Sequence, residues 1–302
     1  MNQLSPKVSV IIPSYNRANY IADTIKSVQD QSYKNWEMII LDDGSNDNTQ
    51  EIVERIGDDK IHFIKNKRLG IVSAIKNLGI ANSTGELIAF IDSDDLWAED
   101  KLEKQVMALQ QFPEAGFCLT NGYNFKNINE PLDFFYKQNK GFIYDNIFFS
   151  CFKSEVAGFT QALMFRRECI NAAGLFKETK TFSDIDFIIS LAKNFKAIIL
   201  YEPLVFRRLH DANHMKLNWK KNYYQGIELI QEYQKELPGT ISNNAFFRLY
   251  INFGESCLKH SEKKQAITKF LKAWKYAPFS IVPLKKIAKT LLLQQKIRPS
   301  IL

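Results

Sequence analysis

The sequence lacks the features that mark several common classes of protein. Its four cysteines lie far apart, with no CxxC pair, so we expect free buried thiols in a reducing compartment rather than a disulfide framework or a zinc site. No run approaches ~18 apolar residues, which argues against a membrane-spanning helix. The first six residues, MNQLSP, contain no apolar stretch typical of a signal peptide, and we therefore expect a cytoplasmic protein.

Two glycine-rich phosphate-binding loops are also absent. No G-x-G-x-x-G motif follows the first apolar run, which argues against a dinucleotide-binding site, and no G-x4-G-K-[ST] motif occurs, which excludes a P-loop kinase or ATPase. The composition is that of an ordinary globular protein, with 302 residues, of which 45% are hydrophobic and 24% are charged. This length allows one large domain or two smaller ones.

Charge is distributed unevenly along the chain. Residues 216–302 hold 16 Lys and Arg against 5 Asp and Glu, a net charge of +11, whereas the preceding residues hold 24 against 28, a net charge of −4. Such asymmetry is typical of two parts with different roles. We therefore predict a first domain over residues 1–215 and a basic helical region over residues 216–302.

Short apolar runs alternate with helical periodicity through the first domain. Strands are predicted at residues 7–12, 36–41, 61–64, 87–91, 162–165 and 197–200, and helices at residues 18–31, 48–56, 71–81, 99–112 and 184–193. This alternation indicates an α/β fold with a mixed, mostly parallel sheet flanked by helices. Residues 121–158, which are rich in Phe and Tyr, are interpreted as a less regular, loop-bearing insertion.

The C-terminal region shows helical patterns near residues 219–236, 242–260, 262–276 and 283–297. Half of a tetratricopeptide-like unit, which predicts a helical hairpin, is formed by Ala266, Phe270, Ala273 and Pro278. The last helix has one basic face and one apolar face, the latter made by Leu284, Ile287, Ala288 and Leu291. This pattern favours peripheral contact with an anionic membrane. The alternative is a helix packed on its neighbours with its lysines in water.

Polar clusters follow three of the predicted strands, at residues 13–16, 42–47 and 92–95. In open sheets of this kind, ligands bind beyond the carboxyl ends of the strands. The third cluster holds Asp92, Asp94 and Asp95, and because close carboxylates repel each other they need a cation or hydrogen-bond donors. Divalent cations take carboxylate and phosphate oxygens, so this cluster predicts Mn²⁺ or Mg²⁺ bridging a diphosphate. The alternative is a solvated acidic loop ahead of the next helix.

Three motifs occur in the order and spacing of a known family. They are VSVIIPSYN at residues 8–16, LDDGSND at 41–47 and AFIDSDD at 89–95. Over residues 7–215 the chain resembles the family 2 glycosyltransferases of GT-A fold. The resemblance implies an inverting enzyme that moves a sugar from a nucleotide-diphosphate donor, usually a UDP-sugar. The implied acceptor is a hydroxyl of a glycan or lipid-linked glycan in cell-surface polysaccharide synthesis, and the implied cofactor is Mn²⁺ or Mg²⁺.

The resemblance assigns roles to residues of the three motifs. Pro13 and Tyr15 would line the nucleoside pocket, and Asp43 would hydrogen-bond the base. Asp92 and Asp94 would form the Asp-x-Asp motif that holds the ribose and the metal ion.

Further residues would act on the metal and the diphosphate. By the same resemblance, Asp95 would share in holding the ribose or the metal ion, and His210 would be a further metal ligand or touch the diphosphate. Arg207 would clamp the diphosphate. Family members often carry Ala-Arg-Asn in the helix before the fourth strand, where this chain has Ile-Lys-Asn. Lys76, a point charge rather than a planar fork, would contact the donor from there. Arg68 stands where the family commonly has Asn.

The reaction also needs a base, because an acceptor hydroxyl is a poor nucleophile until its proton is taken. The family places this base in a Glu-Asp pair at the start of a helix, and the matching stretch here is TFSDIDF at residues 181–187. Asp184 aligns with the base, Ser183 replaces the Glu, and Asp186 is the second choice. The alternative is that Asp184 is only an acidic first-turn residue or N-cap.

Three other functions fit the sequence less well than sugar transfer. A glycosyltransferase-like binding protein without catalysis would not need Asp92, Asp94 and Asp184, all of which are present. A nucleotidyltransferase would usually carry a Gly-rich basic loop after the first strand, which the PSYN segment is not. A helical adaptor would need more than half a repeat. Nucleic acid is compatible with the net charge of +7, but no motif for it occurs.

Overall fold

The structure, a computed structural model, describes residues 5–127, 130–178, 182–210 and 219–295. The chain divides into two compact units. The first contains Met1–Cys151 and Val156–Asn213, and the second contains Phe152–Glu155 and His214–Leu302. Within the described residues, no helix combines the length and the apolar character that crossing a membrane requires.

One mixed sheet organises the first unit. Its strands are β1 (Val8–Ser14), β2 (Trp36–Asp42), β3 (Ile61–Lys65), β4 (Leu87–Phe90), β5 (Leu96–Trp97), β6 (Ala115–Phe125), β7 (Pro131–Phe134), β8 (Phe142–Asp145), β9 (Leu163–Arg166) and β10 (Lys196–Arg208). They lie in the order β3-β2-β1-β4-β9-β6-β10-β5, with β7 on β6 and β8 on β10.

Strand direction decides which residues share an edge of the sheet. β1 runs parallel to β2 and β4, and β6 runs parallel to β10. β9 lies antiparallel between β4 and β6. The carboxyl ends of β1, β2, β4, β6 and β10 therefore meet at one edge, where β9 begins. A ligand site is expected at that edge.

Helices accompany the strands along the chain up to residue 194. They are α1 (Ile21–Gln29), α2 (Thr49–Ile56), α3 (Val72–Ala81), α4 (Lys101–Gln111), α5 (Phe148–Lys153), α6 (Ile170–Ala173) and α7 (Ser183–Asn194). The side chains of β1, β2 and β4 are almost wholly buried, which explains why these strands read as continuous apolar runs. A Cβ at Gly79 would lie 2.3 Å from Ile11 Cγ2, so glycine is what lets α3 approach β1 so closely.

The region interpreted as an irregular insertion is more ordered than predicted. It holds β7, β8 and the end of β6, and β6 is a buried strand in the middle of the sheet. Its pattern is hidden because Gly116 and Gly122 interrupt the apolar run. A Cβ at either position would lie 2.6 Å from a ring atom of Phe195 or Phe135 respectively. The glycines that disguise the strand are therefore those that let aromatic rings pack against it.

Four helices build the second unit in its described residues. They are α8 (Trp219–Tyr233), α9 (Gly239–Lys259), α10 (Lys263–Tyr276) and α11 (Val282–Gln295). The residues of the tetratricopeptide-like pattern in α10, namely Ala266, Phe270 and Ala273, are fully buried. A Cβ at Gly254 of α9 would lie 2.3 Å from the Phe270 ring, so the two helices pack closely. By contrast, Leu284 and Leu291 of α11 are exposed.

A buried carboxylate supports the sheet at the edge where β1 and β4 begin. Glu37 accepts hydrogen bonds from Lys7 Nζ, Ser9 Oγ and Thr84 N, each at 2.6 Å, and its side chain is 6% exposed. Burial alone would raise the pKa of Glu37, but these hydrogen bonds outweigh it and lower the pKa to about 2.

Replacing this carboxylate should make the protein less stable in a pH-dependent way. Glu37→Gln is expected to lower the free energy of unfolding by about 2 kcal/mol at pH 7, because hydrogen bonds to a buried charge are lost. Since the folded pKa lies below the unfolded one, this stabilisation is complete above pH ~4.5 and disappears as the pH falls towards 2. Urea unfolding of both proteins at pH 7 and pH 3 measures it. A difference that does not shrink at pH 3 contradicts the assignment.

Candidate active site

The three polar clusters meet at the edge where the parallel strands end. Asn16 N donates to Ser45 Oγ at 2.8 Å, and Asn46 N donates back to Asn16 Oδ1 at 3.0 Å. Arg17 then connects the first cluster to the third, with its Nε 3.2 Å from Asp94 Oδ2. The segments that follow β1, β2 and β4 therefore form one continuous polar surface.

Asp43 lies on this surface beneath the segment that follows β3. Its carboxylate accepts hydrogen bonds from Leu69 N at 2.6 Å, from Gly70 N at 2.9 Å, and from the guanidinium of Arg68. Arg68 also stacks on Tyr15, with its Cζ 3.3 Å from the ring centroid. A Cβ at Gly44, where φ is +74°, would lie 2.9 Å from Arg68 N, so glycine is needed for this approach.

Two aspartates of the acidic motif share one amide. Gln161 Nε2 donates to Asp92 Oδ2 at 3.2 Å and to Asp95 Oδ2 at 3.0 Å, and Arg208 N donates to Asp95 Oδ1 at 2.8 Å. Burial, together with the charges of Asp94 and Asp184, raises the pKa of Asp92 to about 6, although Lys76 and Arg207 act in the opposite direction.

The pKa of Asp95 is raised further. Burial contributes most, and the charges of Asp92 and Asp94 add to it. Burial and the mutual repulsion of these carboxylates thus both disfavour their charged forms.

Asp94 pairs with the imidazole that follows β10. His210 Nε2 lies 2.8 Å from Asp94 Oδ2, and the His210 ring stacks on Tyr20 with centroids 5.1 Å apart. Arg208 Nε also donates to the Asp94 carbonyl at 3.0 Å. In the part of the chain that the structure describes, no three His, Cys, Asp or Glu side chains converge as a metal site.

Asp184 occupies the first turn of α7, and its carboxylate points to other elements. Lys76 Nζ donates to Asp184 Oδ1 at 2.7 Å, and Thr160 Oγ1 donates to Asp184 Oδ2 at 3.0 Å. No side chain caps α7 at Phe182, so an N-cap role does not describe Asp184. Asp186, by contrast, is buried and pairs with Lys177 at 3.2 Å.

Arg207 completes the edge at the end of β10. Its guanidinium carbon lies 4.9 Å from the centroid of Phe159, and its Nη1 lies 3.5 Å from Asn124 Oδ1. Pro13 is partly buried within β1. The structure therefore brings the predicted residues to one edge, but Lys76 faces Asp184 and is almost fully buried.

Three residues at this edge were not predicted from the sequence. Phe159, Thr160 and Gln161 precede β9 and contact Arg207, Asp184 and the acidic motif respectively. The signal that would have found them is strand direction. Because β9 is antiparallel to β4, the residues before β9 lie beside those after β4.

Comparison with known proteins identifies the family. The family model described as Glycosyl transferase family 2 matches residues 9–170. The putative teichuronic acid biosynthesis glycosyltransferase TuaG of Bacillus subtilis (strain 168) is 32% identical over 223 residues, which cover 73% of this chain and 86% of TuaG. The chain belongs to this family and is a glycosyltransferase, as its motifs predicted.

Two solved structures share the fold at low sequence identity. TarS of S. aureus in complex with UDP-GlcNAc matches with a TM-score of 0.69 at 18% identity, over 89% of this chain and 81% of that one. The mannosyltransferase PcManGT from Pyrobaculum calidifontis, in complex with GDP-Man and Mn²⁺, matches with a TM-score of 0.62 at 18% identity, over 95% and 80%. These matches confirm the predicted GT-A fold.

Proposed function

We propose that this protein transfers a sugar from a UDP-sugar to a hydroxyl of a cell-surface glycan or lipid-linked glycan, with inversion at the anomeric carbon. The catalytic domain would span residues 1–215. The observation that carries the proposal is the placement of Asp184, which accepts a hydrogen bond from Thr160 while the next residue, Gln161, donates to Asp92 of the acidic motif. A carboxylate able to take a proton thus lies beside the carboxylates proposed to face the donor.

The proposed reaction is a single displacement. The acceptor oxygen forms a bond to the anomeric carbon while the bond from that carbon to the diphosphate oxygen breaks, and UDP leaves. Asp184 accepts the hydroxyl proton, which makes the oxygen nucleophilic. Attack from the face opposite the leaving group inverts the anomeric centre without a covalent sugar–enzyme intermediate. Arg207 would hold the diphosphate by charge-assisted hydrogen bonds.

A divalent metal ion fits the chemistry of the acidic motif. Asp94 Oδ2 and His210 Nε2, only 2.8 Å apart, are oxygen and nitrogen donors that suit Mn²⁺. Burial first, and the neighbouring carboxylates second, raise the pKa values of Asp92 and Asp95, and a cation would stabilise their charged forms. We propose that Asp94, with Asp92, Asp95 and His210, holds Mn²⁺ or Mg²⁺. Such an ion would neutralise negative charge on the diphosphate.

The nucleoside would bind where β1 and β2 end. Tyr15 offers an aromatic face, Pro13 lies two residues before it, and Asp43 offers a carboxylate to the N–H group of a base. Arg68 contacts both Tyr15 and Asp43, so its guanidinium would lie beside a base bound there. TuaG, a protein of teichuronic acid biosynthesis, and TarS, which binds UDP-GlcNAc, support a UDP-sugar donor and a surface glycan acceptor.

A panel of donors tests the reaction. UDP-glucose, UDP-GlcNAc, UDP-galactose and GDP-mannose are incubated with enzyme and Mn²⁺, and nucleoside diphosphate release is followed with EDTA as the control. Release from one UDP-sugar that EDTA stops is the expected result. Binding of UDP without release from any donor would favour the inactive binding protein. Pyrophosphate release from a nucleoside triphosphate would favour a nucleotidyltransferase.

Exposed apolar side chains of the second unit favour a peripheral membrane role as well. Phe279, between α10 and α11, is 98% exposed, and Leu284 and Leu291 are exposed beside Lys285 and Lys289. Residues 263–295 contain no Asp or Glu. An apolar surface flanked by lysines fits the interface of an anionic bilayer. We propose that the region over residues 216–302 holds the enzyme there.

Vesicle binding measures this role. Phe279→Ser should weaken binding to vesicles containing phosphatidylglycerol about 30-fold, since burying a Phe side chain stabilises by roughly 2 kcal/mol. Met107→Ser, which removes a 61% exposed apolar side chain from the first unit, is the matched control and should change nothing. Equal binding to phosphatidylcholine and phosphatidylglycerol vesicles would refute the preference for an anionic bilayer, and an equal effect of the two substitutions would refute the role of the second unit in membrane binding.

A further inference from the structure

Lys76 is a buried cation that lies near two aromatic rings and pairs with one carboxylate. It lies in α3 with its side chain 2% exposed. Its Nζ is 5.7 Å from the centroid of Phe90 and 5.5 Å from that of Phe176. Removing an ammonium group from water costs several kcal/mol unless an anion and hydrogen bonds compensate for it. Asp184 supplies the anion, at 2.7 Å.

Thr160 closes this pair into a small network. Its hydroxyl accepts a hydrogen bond from Lys76 Nζ at 2.6 Å and donates one to Asp184 Oδ2 at 3.0 Å. A hydroxyl has one hydrogen to donate and can accept at its lone pairs, so both bonds form together. Each carboxylate oxygen of Asp184 is thereby bound by a different donor, which fixes the plane of the carboxylate.

The network leaves the functional side of the carboxylate open. Asp184 is 33% exposed, whereas Lys76 and Thr160 are buried behind it. The ammonium of Lys76 therefore contacts Asp184 from the protein interior. Its compact ammonium lies between two rings, where the planar fork of the family's usual arginine would need more room.

We propose that Lys76 and Thr160 are positioning residues that hold the carboxylate of Asp184 in the orientation needed to accept the acceptor's proton. This inference rests on the proposed function of Asp184 as the base. It differs from the expectation that Lys76 binds the donor, and it gives a role to Thr160, which no motif indicated. Small errors in the position of a catalytic group are costly, which is why such groups are held by buried neighbours.

The isosteric change Thr160→Val is the central test. It removes the hydroxyl but keeps the shape of the side chain. We expect kcat to fall about 10-fold to 100-fold, as for a displacement of about 1 Å, while the affinity for UDP in the presence of Mn²⁺, measured by calorimetry, stays the same. Thr160→Ser, which keeps the hydroxyl, should restore most of the loss. Lys76→Met should behave as Thr160→Val does.

A double substitution separates positioning from a general structural effect. If Thr160 acts through Asp184, then Thr160→Val should have no further effect on the residual rate of the Asp184→Asn enzyme, measured as product formed over hours. An equal fold-loss in both backgrounds would overturn the proposal, as would a loss of UDP affinity with unchanged kcat. Thermal unfolding of each variant shows whether the fold is retained.

The outcomes also separate this inference from the function on which it rests. Near-normal turnover by Asp184→Asn would overturn the assignment of the base itself. An inactive Asp184→Asn enzyme together with a fully active Thr160→Val enzyme would overturn only the positioning role.

Discussion

Asp184→Asn is expected to lower kcat by about 10³-fold, which is within the range that a positioned general base contributes. The affinity for UDP should remain unchanged, because the nucleoside and diphosphate would be held by Tyr15, Asp43 and Arg207. Asparagine keeps an oxygen that can accept from Lys76 but leaves this buried ammonium without its anion, so some thermal stability should be lost and thermal unfolding checks that the variant is folded. Steady-state kinetics and calorimetry with UDP and Mn²⁺ measure the two quantities separately.

The control for this prediction lies two residues further along α7. Asp186→Asn makes the same chemical change, but Asp186 is buried and paired with Lys177. It should lower thermal stability and leave kcat nearly unchanged once the protein is folded. If Asp186→Asn abolishes turnover and Asp184→Asn does not, the base has been assigned to the wrong carboxylate.

The main catalytic expectations could be drawn from the sequence because their signal is local. A buried parallel strand reads as an apolar run, and the polar residues directly after it must lie at the carboxyl edge. Asp92, Asp94 and Asp43 were found in this way. Asp184 was found by a family motif, since nothing in its own helix distinguishes a base from an acidic first-turn residue.

The supporting residues could not be found in this way, because their contacts depend on pairing between distant segments. Thr160 meets Asp184 only because β9 is antiparallel and begins where β4 ends. The pairing of Lys76 with Asp184 joins residues 108 positions apart. β6 was missed because Gly116 and Gly122 obscure its apolar pattern. The direction of a strand such as β9 follows from the strands with which it pairs, and these pairings between distant segments are not visible in the sequence.

The contacts of Arg68 could not be predicted from the sequence either, because they also involve distant residues. As a departure from the family pattern it had no structural explanation in the sequence. The structure gives it one, because its guanidinium covers Tyr15 and pairs with Asp43, 25 positions away. Arg68 thus links Tyr15 and Asp43, two of the residues proposed to bind the nucleoside.

Substitution of Asp94 in the acidic motif should also have a large effect. Asp94→Asn should remove the Mn²⁺-dependent part of UDP affinity and lower kcat by about 10²-fold or more, since a metal ion at the diphosphate contributes several kcal/mol. Asparagine keeps one oxygen near His210 but removes the charge that a divalent cation needs. The measurement is UDP binding by calorimetry with Mn²⁺ and with EDTA, which reports on the site independently of turnover.

A nearby charge that is not part of the motif provides the control. Asp23 lies 3.2 Å from Arg208 Nη2, is largely exposed, and belongs to α1. Asp23→Asn removes one negative charge near the same edge but should leave the Mn²⁺-dependent increment intact, because exposed ion pairs contribute little. If Asp94→Asn binds UDP with the same Mn²⁺ dependence as the wild type, Asp94 does not hold the metal. If the wild type itself binds UDP equally well in Mn²⁺ and in EDTA, then side-chain cations at this edge, such as Arg17, Arg207 and Arg208, would neutralise the diphosphate without a metal ion.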